Sequence, residues 1–366
     1  MNEKYWVAFA SIETIGAGFI KKVYDYCCGD IERAWKISLS ELKEIEDLRR
    51  TYVDTFCQMR NKIEPEKLLE EVESSQIKLM CFDNDDYPEY LKNIHNPPMV
   101  LFYRGDFSRI NLARTFAVVG SRNISLGAKD NLKNILKGFT NSDLTIVSGG
   151  AIGADTCAHM CALEYNMPTV SVLGSGLNNL YPKQNKEMFQ KIIDEAGVVM
   201  TEFVPSSPPI NWHFPMRNRI ISGLSHGVLI AEASIKSGAL ITANIAIEQG
   251  REVMCMPGAI SNPNTEGIYK LVKQGIPIVT NSQDILDVME WKLKLEKPSK
   301  STQAVELQGT EKEIYDIISK DSLTIDEIFN TLTNKSVSFS DLMILLTTLE
   351  VRGFIHTVEG NRYKVK

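Results

Sequence analysis

The 366-residue sequence has no run of about 18 uninterrupted apolar residues, so no helical membrane span is expected. Its start, MNEKYWVAFASIETIG, carries an acid at Glu3 and no basic leader ahead of a long apolar block, so it does not read as a secretory signal. Cysteine is scarce and scattered, seven in all; an odd number at irregular spacing argues for a reducing cytoplasm and against a disulfide framework. Excess positive charge is also missing: 40 basic residues against 46 acidic ones leave a net charge of −6. Any attraction for nucleic acid must therefore come from a local patch. Two nucleotide fingerprints are absent. There is no G-x-x-x-x-G-K-[ST] loop, and Gly174-Ser175-Gly176 meets Asn179 where a dinucleotide motif needs its third glycine. No cofactor is expected. Cys157, His159 and Cys161 in CAHMC resemble metal ligands only in spacing; the cysteines share a helix face with Ala154 and Ala158 and read as small core residues, so no metal is expected.

The composition, 43% apolar and 23% charged, suits a globular chain of two or three domains. Residues 1–65 read as short helices, a small module of the SAM or helix-hairpin-helix kind. Gly16-x-Gly18 opens one helix, and Ser40 is the expected N-cap of another beginning at Glu41. Residues 66–110 form a connector after this module. Pro97-Pro98 forces extended backbone ahead of MVLFY, which should lie as a strand along the next domain. From 111 to 290, β-branched strands alternate with helical stretches: FAVVGS, TIVSGG, TVSVLGSG, VVMTEF, GVLIAEA, EVMCMPG and IPIVT. Nearly continuous apolar strands bounded by helices specify an α/β, Rossmann-like, doubly wound and mostly parallel sheet covered on both faces. The domain is therefore placed at 66–290. Residues 291–305 are polar and Pro/Ser/Lys-bearing, a linker. Residues 306–366 run helix, helix, helix, then two strands joined at Gly360-Asn361, the order of a winged helix. With seven Lys/Arg against ten Asp/Glu, this tail suits protein contact better than a DNA groove.

Doubly wound sheets bind ligands at the carboxyl ends of their strands. Four such ends carry glycine with a hydroxyl or a cation. The first has Gly120-Ser121-Arg122, and the second has Gly149, Gly150 and Gly153 ahead of a helix. Lys183 follows the third, and Lys236, Ser237, Gly238 and Thr242 follow the strand GVLIAEA. Glycine lets backbone approach an anion, helix N-termini and hydroxyls hold it, and arginine clamps phosphate. Four on one rim point to phosphate. Arg217 and Arg219 in FPMRNRIISGLS have no acid near them in sequence between Glu202 and Glu232, and so expect a negative partner. Trp212, His213 and Phe214 offer faces on which unpaired bases could stack, although Phe214 could equally be core. Catalytic groups are few. Asp155 and His159 stand one helical turn apart but read best as a local pair, and Glu232 is either a general acid/base or an acceptor that orders the Arg217–Arg219 segment.

The ordered set Gly120-Ser121-Arg122, SGGAIGADTCAH, GSGLNNLYPKQN, FPMRNRIISGLS, EASIKSGALITA and GREVMCMPG resembles the DNA-processing protein A family (DprA, or Smf) over about residues 85–290. The resemblance implies a non-catalytic, cytoplasmic recombination mediator that binds and protects single-stranded DNA, forms a homodimer and loads the RecA recombinase, as in natural transformation. It implies DNA-binding roles for Ser121, Arg122, Gly149, Gly150, Lys183, Arg217, Asn218, Arg219, Lys236, Ser237, Gly238 and Thr242. Loss of Arg122 or Arg217 is then expected to weaken strand binding without unfolding the chain. Gly153-Ala154-Asp155 replaces the family's more usual Gly-Ile-Asp, and Asn211 stands where some relatives carry a basic residue. Two alternatives share the phosphate rim. One is a nucleotide-phosphate hydrolase, although the Pro-Gly-Gly-x-Gly-Thr run of the related phosphoribohydrolases is missing at Ser237-Gly238-Ala239-Leu240. The other is a nucleotide-sensing scaffold.

Overall fold

The computed structural model describes residues 2–293, 307, 309–319, 322–333, 337–352, 354–358 and 362–365. Most of the expected linker, from 294 to 305, lies outside them, as does the Gly360-Asn361 turn. The chain divides into two compact units, Met1–Lys297 and Pro298–Lys366.

The first unit opens with six helices: α1 (Glu3–Ala10), α2 (Gly16–Tyr26), α3 (Ile31–Lys36), α4 (Leu39–Glu44), α5 (Arg50–Arg60) and α6 (Pro65–Ser74). Phe9 stacks on Phe56 at 5.2 Å, and Trp35 meets both edge-on. This aromatic knot fixes helices too short to stand alone. The cap of α4 is Ser38, not Ser40. Its hydroxyl accepts the amide of Glu41 while the Glu41 carboxylate accepts the amide of Ser38, and this reciprocal pair outcompetes a lone serine two residues on. The helices share one apolar core with the first two strands, through Trp6, Tyr24 and Phe82.

Eight strands follow: β1 (Lys78–Cys81), β2 (Val100–Gly105), β3 (Thr115–Val119), β4 (Thr145–Ser148), β5 (Thr169–Val172), β6 (Gly197–Thr201), β7 (Gly227–Ile230) and β8 (Glu252–Cys255). Their order is β1-β2-β6-β5-β4-β3-β7-β8. The six strands from β6 to β8 are parallel, and β2 joins antiparallel on β6. All five residues of β3 are buried, as both-face covering requires. The short β1 escapes sequence patterning because only Met80 and Cys81 of its four residues are buried. IPIVT contributes only an isolated bridge, Ile278 to Cys255, since Pro277 has no amide to donate to a ladder. The covering helices are α7 (Glu89–Lys92), α8 (Leu126–Lys137), α9 (Ala154–Glu164), α10 (Lys186–Lys191), α11 (His213–Gly223), α12 (Gly238–Glu248), α13 (Glu266–Val272) and α14 (Ser282–Met289). Because β3 lies between β4 and β7, the strand order reverses there, and the loops after β3, β4 and β7 open around one crevice.

In the second unit, α15 (Thr310–Ile318), β9 (Leu323–Thr324), α16 (Ile325–Thr331), α17 (Phe339–Val351), β10 (Ile355–Val358) and β11 (Arg362–Val365) surround a core of Ile314, Ile328, Leu342, Leu346 and Leu349. Its sheet order is β10-β11-β9.

Candidate nucleic-acid interface

A cavity of about 490 Å3 opens where the strand order reverses. Ser121, Arg122 and Asn123 reach it from the turn after β3, Ala151 from the β4–α9 connection and Asp155 from the first turn of α9. Phe214, Arg217 and Asn218 reach it from α11, and Ser237, Gly238 and Thr242 from the start of α12. The turn after β3 is pinned at both sides: the Ser121 amide donates to the Glu232 carbonyl at 2.7 Å, and the Ser121 carbonyl accepts the Ala154 amide at 3.1 Å. Gly153, with φ of 91°, permits this closeness, since a methyl there would lie 2.4 Å from the Ser121 carbonyl oxygen. At α12, the Ser237 hydroxyl caps the helix by accepting from Ala239. The positive end of that helix faces the cavity beside Thr242.

The charged groups lining the cavity are Arg122, Arg217 and Asp155, and they differ in kind. Arg122 is exposed, its guanidinium 5.7 Å above the Phe214 ring. Arg217 is buried under the floor. Its Nη1 donates to the Gly149 carbonyl at 2.6 Å and also to the Val172 carbonyl. A methyl on Gly149 would fall 2.6 Å from Arg217 Nη2 and 2.7 Å from Asp155 Oδ2, so both charges press on that glycine. Burial pushes the Arg217 pKa down to about 10 against the pull of Asp155, which leaves the guanidinium charged at neutral pH. Burial likewise pushes the Asp155 carboxyl up, opposed by Arg217 and by amides including that of Ala151. The fold thus supplies the acid that local sequence withholds from Arg217. Its guanidinium ties the ends of β4 and β5 together, a structural bond that the expectation of removal without unfolding leaves out.

Arg219 requires a second correction. It points away from the cavity and grips Glu202 in a two-pronged ion pair at 2.5 and 2.6 Å, while its Nε donates to the Asn96 carbonyl. Burial alone would lower its pKa, but Glu202 outweighs that and raises it. An arginine two residues from one on the cavity side need not share its surroundings on a helix.

The remaining expected residues fall into three groups. Ser121, Arg122, Asn218, Ser237, Gly238 and Thr242 line the main cavity. Gly149 lines a contiguous cleft of about 80 Å3 formed with Tyr181, Pro182 and Gln184; Lys183 is exposed on the same turn, and Lys236 is exposed just ahead of α12. Gly150 does not face the cavity. It is buried at φ of 68° against Phe189 and Ser171 and serves the turn. Of the three aromatic candidates, Trp212 is 49% exposed. Phe214 is half-buried as a cavity wall against Tyr181, at 5.6 Å. His213 belongs to the core, stacked on Phe203 at 3.7 Å. Sequence reading singled out neither Tyr181, Asn123 nor Asn264, all of which line the cavity. Tyr181 stands two residues before Lys183 and could have been found from it; Asn264 carries no motif.

The potential acid–base groups are engaged elsewhere. Glu232 is buried and accepts from the Ser125 amide at 2.7 Å and from the Asn262 amide nitrogen at 2.9 Å. His159 faces Thr169, its Nδ1 2.8 Å from the hydroxyl, and burial pulls its pKa from 6.5 to about 3. A histidine held neutral in the fold favours the unfolded state once protons can bind there. Its contribution is complete above pH 6.5 and declines toward pH 3. At pH 4.5, two units below 6.5, this group alone should remove about 3 kcal/mol at about 1.4 per unit. Asp155, raised by burial, acts in the opposite direction. The comparison is therefore made against His159→Gln by urea unfolding at pH 7 and 4.5. The variant should lose clearly less stability on acidification, and equal losses would contradict the assignment.

Among the described residues no helix is long and apolar enough to cross a membrane, and no cluster of His, Cys, Asp or Glu could hold a metal. All seven cysteines are free.

Residues 78–290 match the family model for DNA recombination-mediator protein A. The DNA processing protein DprA of Streptococcus pneumoniae is 41% identical over 208 residues, covering 57% of this chain and 73% of the relative. The X-ray structure of DprA from that organism superposes with a TM-score of 0.69 at 34% identity, over 79% of this chain and 98% of that one. A Helicobacter pylori DNA processing protein A structure, described for its single-stranded DNA binding mode, shares the fold at a TM-score of 0.53 and 24% identity, over 59% of this chain and 96% of that one. More than half of the chain lies within the match, and on that ground it belongs to the DNA recombination-mediator protein A family.

Proposed function

We propose that the cavity binds single-stranded DNA, with the phosphodiester backbone on Arg122 and the N-terminus of α12 and a base against Phe214 and Tyr181. The observation that carries this reading is the placement of the exposed Arg122 guanidinium over Phe214 at the mouth of the cavity. A cation for phosphate and a ring face for an unpaired base then stand side by side. Lys183 and Lys236, exposed on flanking turns, extend the positive track in an otherwise acidic protein. The Helicobacter pylori relative's description as a single-strand binder supports the same reading.

In this reading the protein is a cytoplasmic, non-catalytic mediator: it shields the strand, acts as a homodimer and hands DNA to RecA. The same reading assigns a helical module to residue 65, a DNA-binding domain to 290 and a winged helix beyond 305. The helix and strand order of the second unit favours that last assignment. Strand length tests the site. Affinity should rise steeply from a labelled six-residue oligo-dT to a twenty-residue one, and thymidine monophosphate should compete poorly. Tight mononucleotide binding indifferent to length, or release of free base, would instead identify a sensor or a hydrolase.

A further inference from the structure

Helix α17 carries an exposed apolar stripe that the described residues of its unit leave uncovered. Met343 is 53% and Ile344 64% exposed, and Phe339 lies one turn earlier at 40%. Thr347 and Thr348 continue the stripe, and with Met343, Ile344 and Arg352 they line a shallow cleft of about 450 Å3. Both threonine hydroxyls donate back to the helix, to the carbonyls of Met343 and Ile344 at 2.8 and 2.7 Å. Their methyl groups are therefore what a partner meets.

The charges around the stripe select the partner. The segment SFSDLMILLTTLEV contains no Lys or Arg, and its two acids, Asp341 and Glu350, sit at opposite borders of the exposed face. The next cation, Arg352, is tied to Glu311 at 2.8 and 2.9 Å. A helix that enters a DNA groove needs free cations for phosphate, and the described residues of this face offer none. We propose that α17 is a docking surface for a basic amphipathic helix of a partner protein, whose apolar residues fill the Met343–Ile344 cleft and whose Lys or Arg residues face Asp341 and Glu350.

The test uses the full chain and three fluorescent peptides of about 14 residues, long enough for a helix of about 20 Å. One places Leu at helical spacing with Lys on the flanks, one replaces Lys by Glu, and one scrambles the first. The basic amphipathic peptide should bind saturably, and both control peptides at least about tenfold more weakly. Met343→Ser should weaken it by about tenfold through lost apolar contact, and Ile344→Lys by at least as much through repulsion. Single-strand binding in the first unit should be unchanged in both variants, which separates failure here from failure of the rim assignment. Equal binding of basic and acidic peptides, or unchanged binding in both variants, would overturn the proposal. So would loss of duplex-DNA binding in Met343→Ser, which would make α17 a groove reader. Loss of self-association in that variant would equally overturn it, by making a second copy the occupant.

Discussion

Replacing Arg217 by alanine should cost about 3–5 kcal/mol of folding stability, read as a large fall in the urea midpoint. The side chain is 5% exposed and holds two backbone carbonyls at the ends of adjacent strands, with Asp155 beside it. Truncation leaves a buried carboxylate without its cation and two acceptors without donors, and each loss is costly in a dry interior. Asp155 would be driven further toward its protonated form. Arg217→Lys should recover little, because one ammonium cannot reproduce the planar fork that spans Gly149 and Val172. A variant that kept its midpoint while losing DNA affinity would show that Arg217 is a phosphate ligand after all.

Arg122→Ala should behave in the opposite way. The residue is exposed on the turn after β3 and has no salt-bridge partner among the described residues, so folding stability by urea should change by less than about 0.5 kcal/mol. Single-strand affinity should fall at least about tenfold, with the slope of log affinity against log salt shallower by about 0.7, the amount expected of one lost phosphate contact on a single strand. Arg122→Lys should restore most of the salt slope but less of the affinity, since an ammonium stacks poorly over the Phe214 ring. Wild-type affinity in Arg122→Ala would place the strand elsewhere.

The sheet was legible in the sequence because its parallel strands are fully buried and so read as unbroken apolar runs, as in TFAVV of β3 and GVLI of β7. The glycine turns were legible for the same reason that the fold needs them. What sequence could not separate was one use of a residue from another. Gly149 and Gly150 are neighbours, yet the first lies at the cleft and the second packs on Phe189. Arg217 and Arg219 looked unpaired because Asp155 and Glu202 lie 62 and 17 residues away and meet them only through the fold. Burial, not residue type, separates the two arginines of the cavity: Arg122 is exposed at the mouth, and Arg217 lies beneath it.

The central claim is that the crevice beside β3 holds a single strand by its phosphates and unpaired bases. It is tested most directly by fluorescence anisotropy of labelled oligo-dT, alone and annealed to oligo-dA, across a salt titration. The account predicts a clear preference for the single strand, with log affinity falling linearly in log salt at about 0.7 per phosphate contacted. Equal affinity for single and double strands, or no binding at low salt by the folded protein, would contradict it.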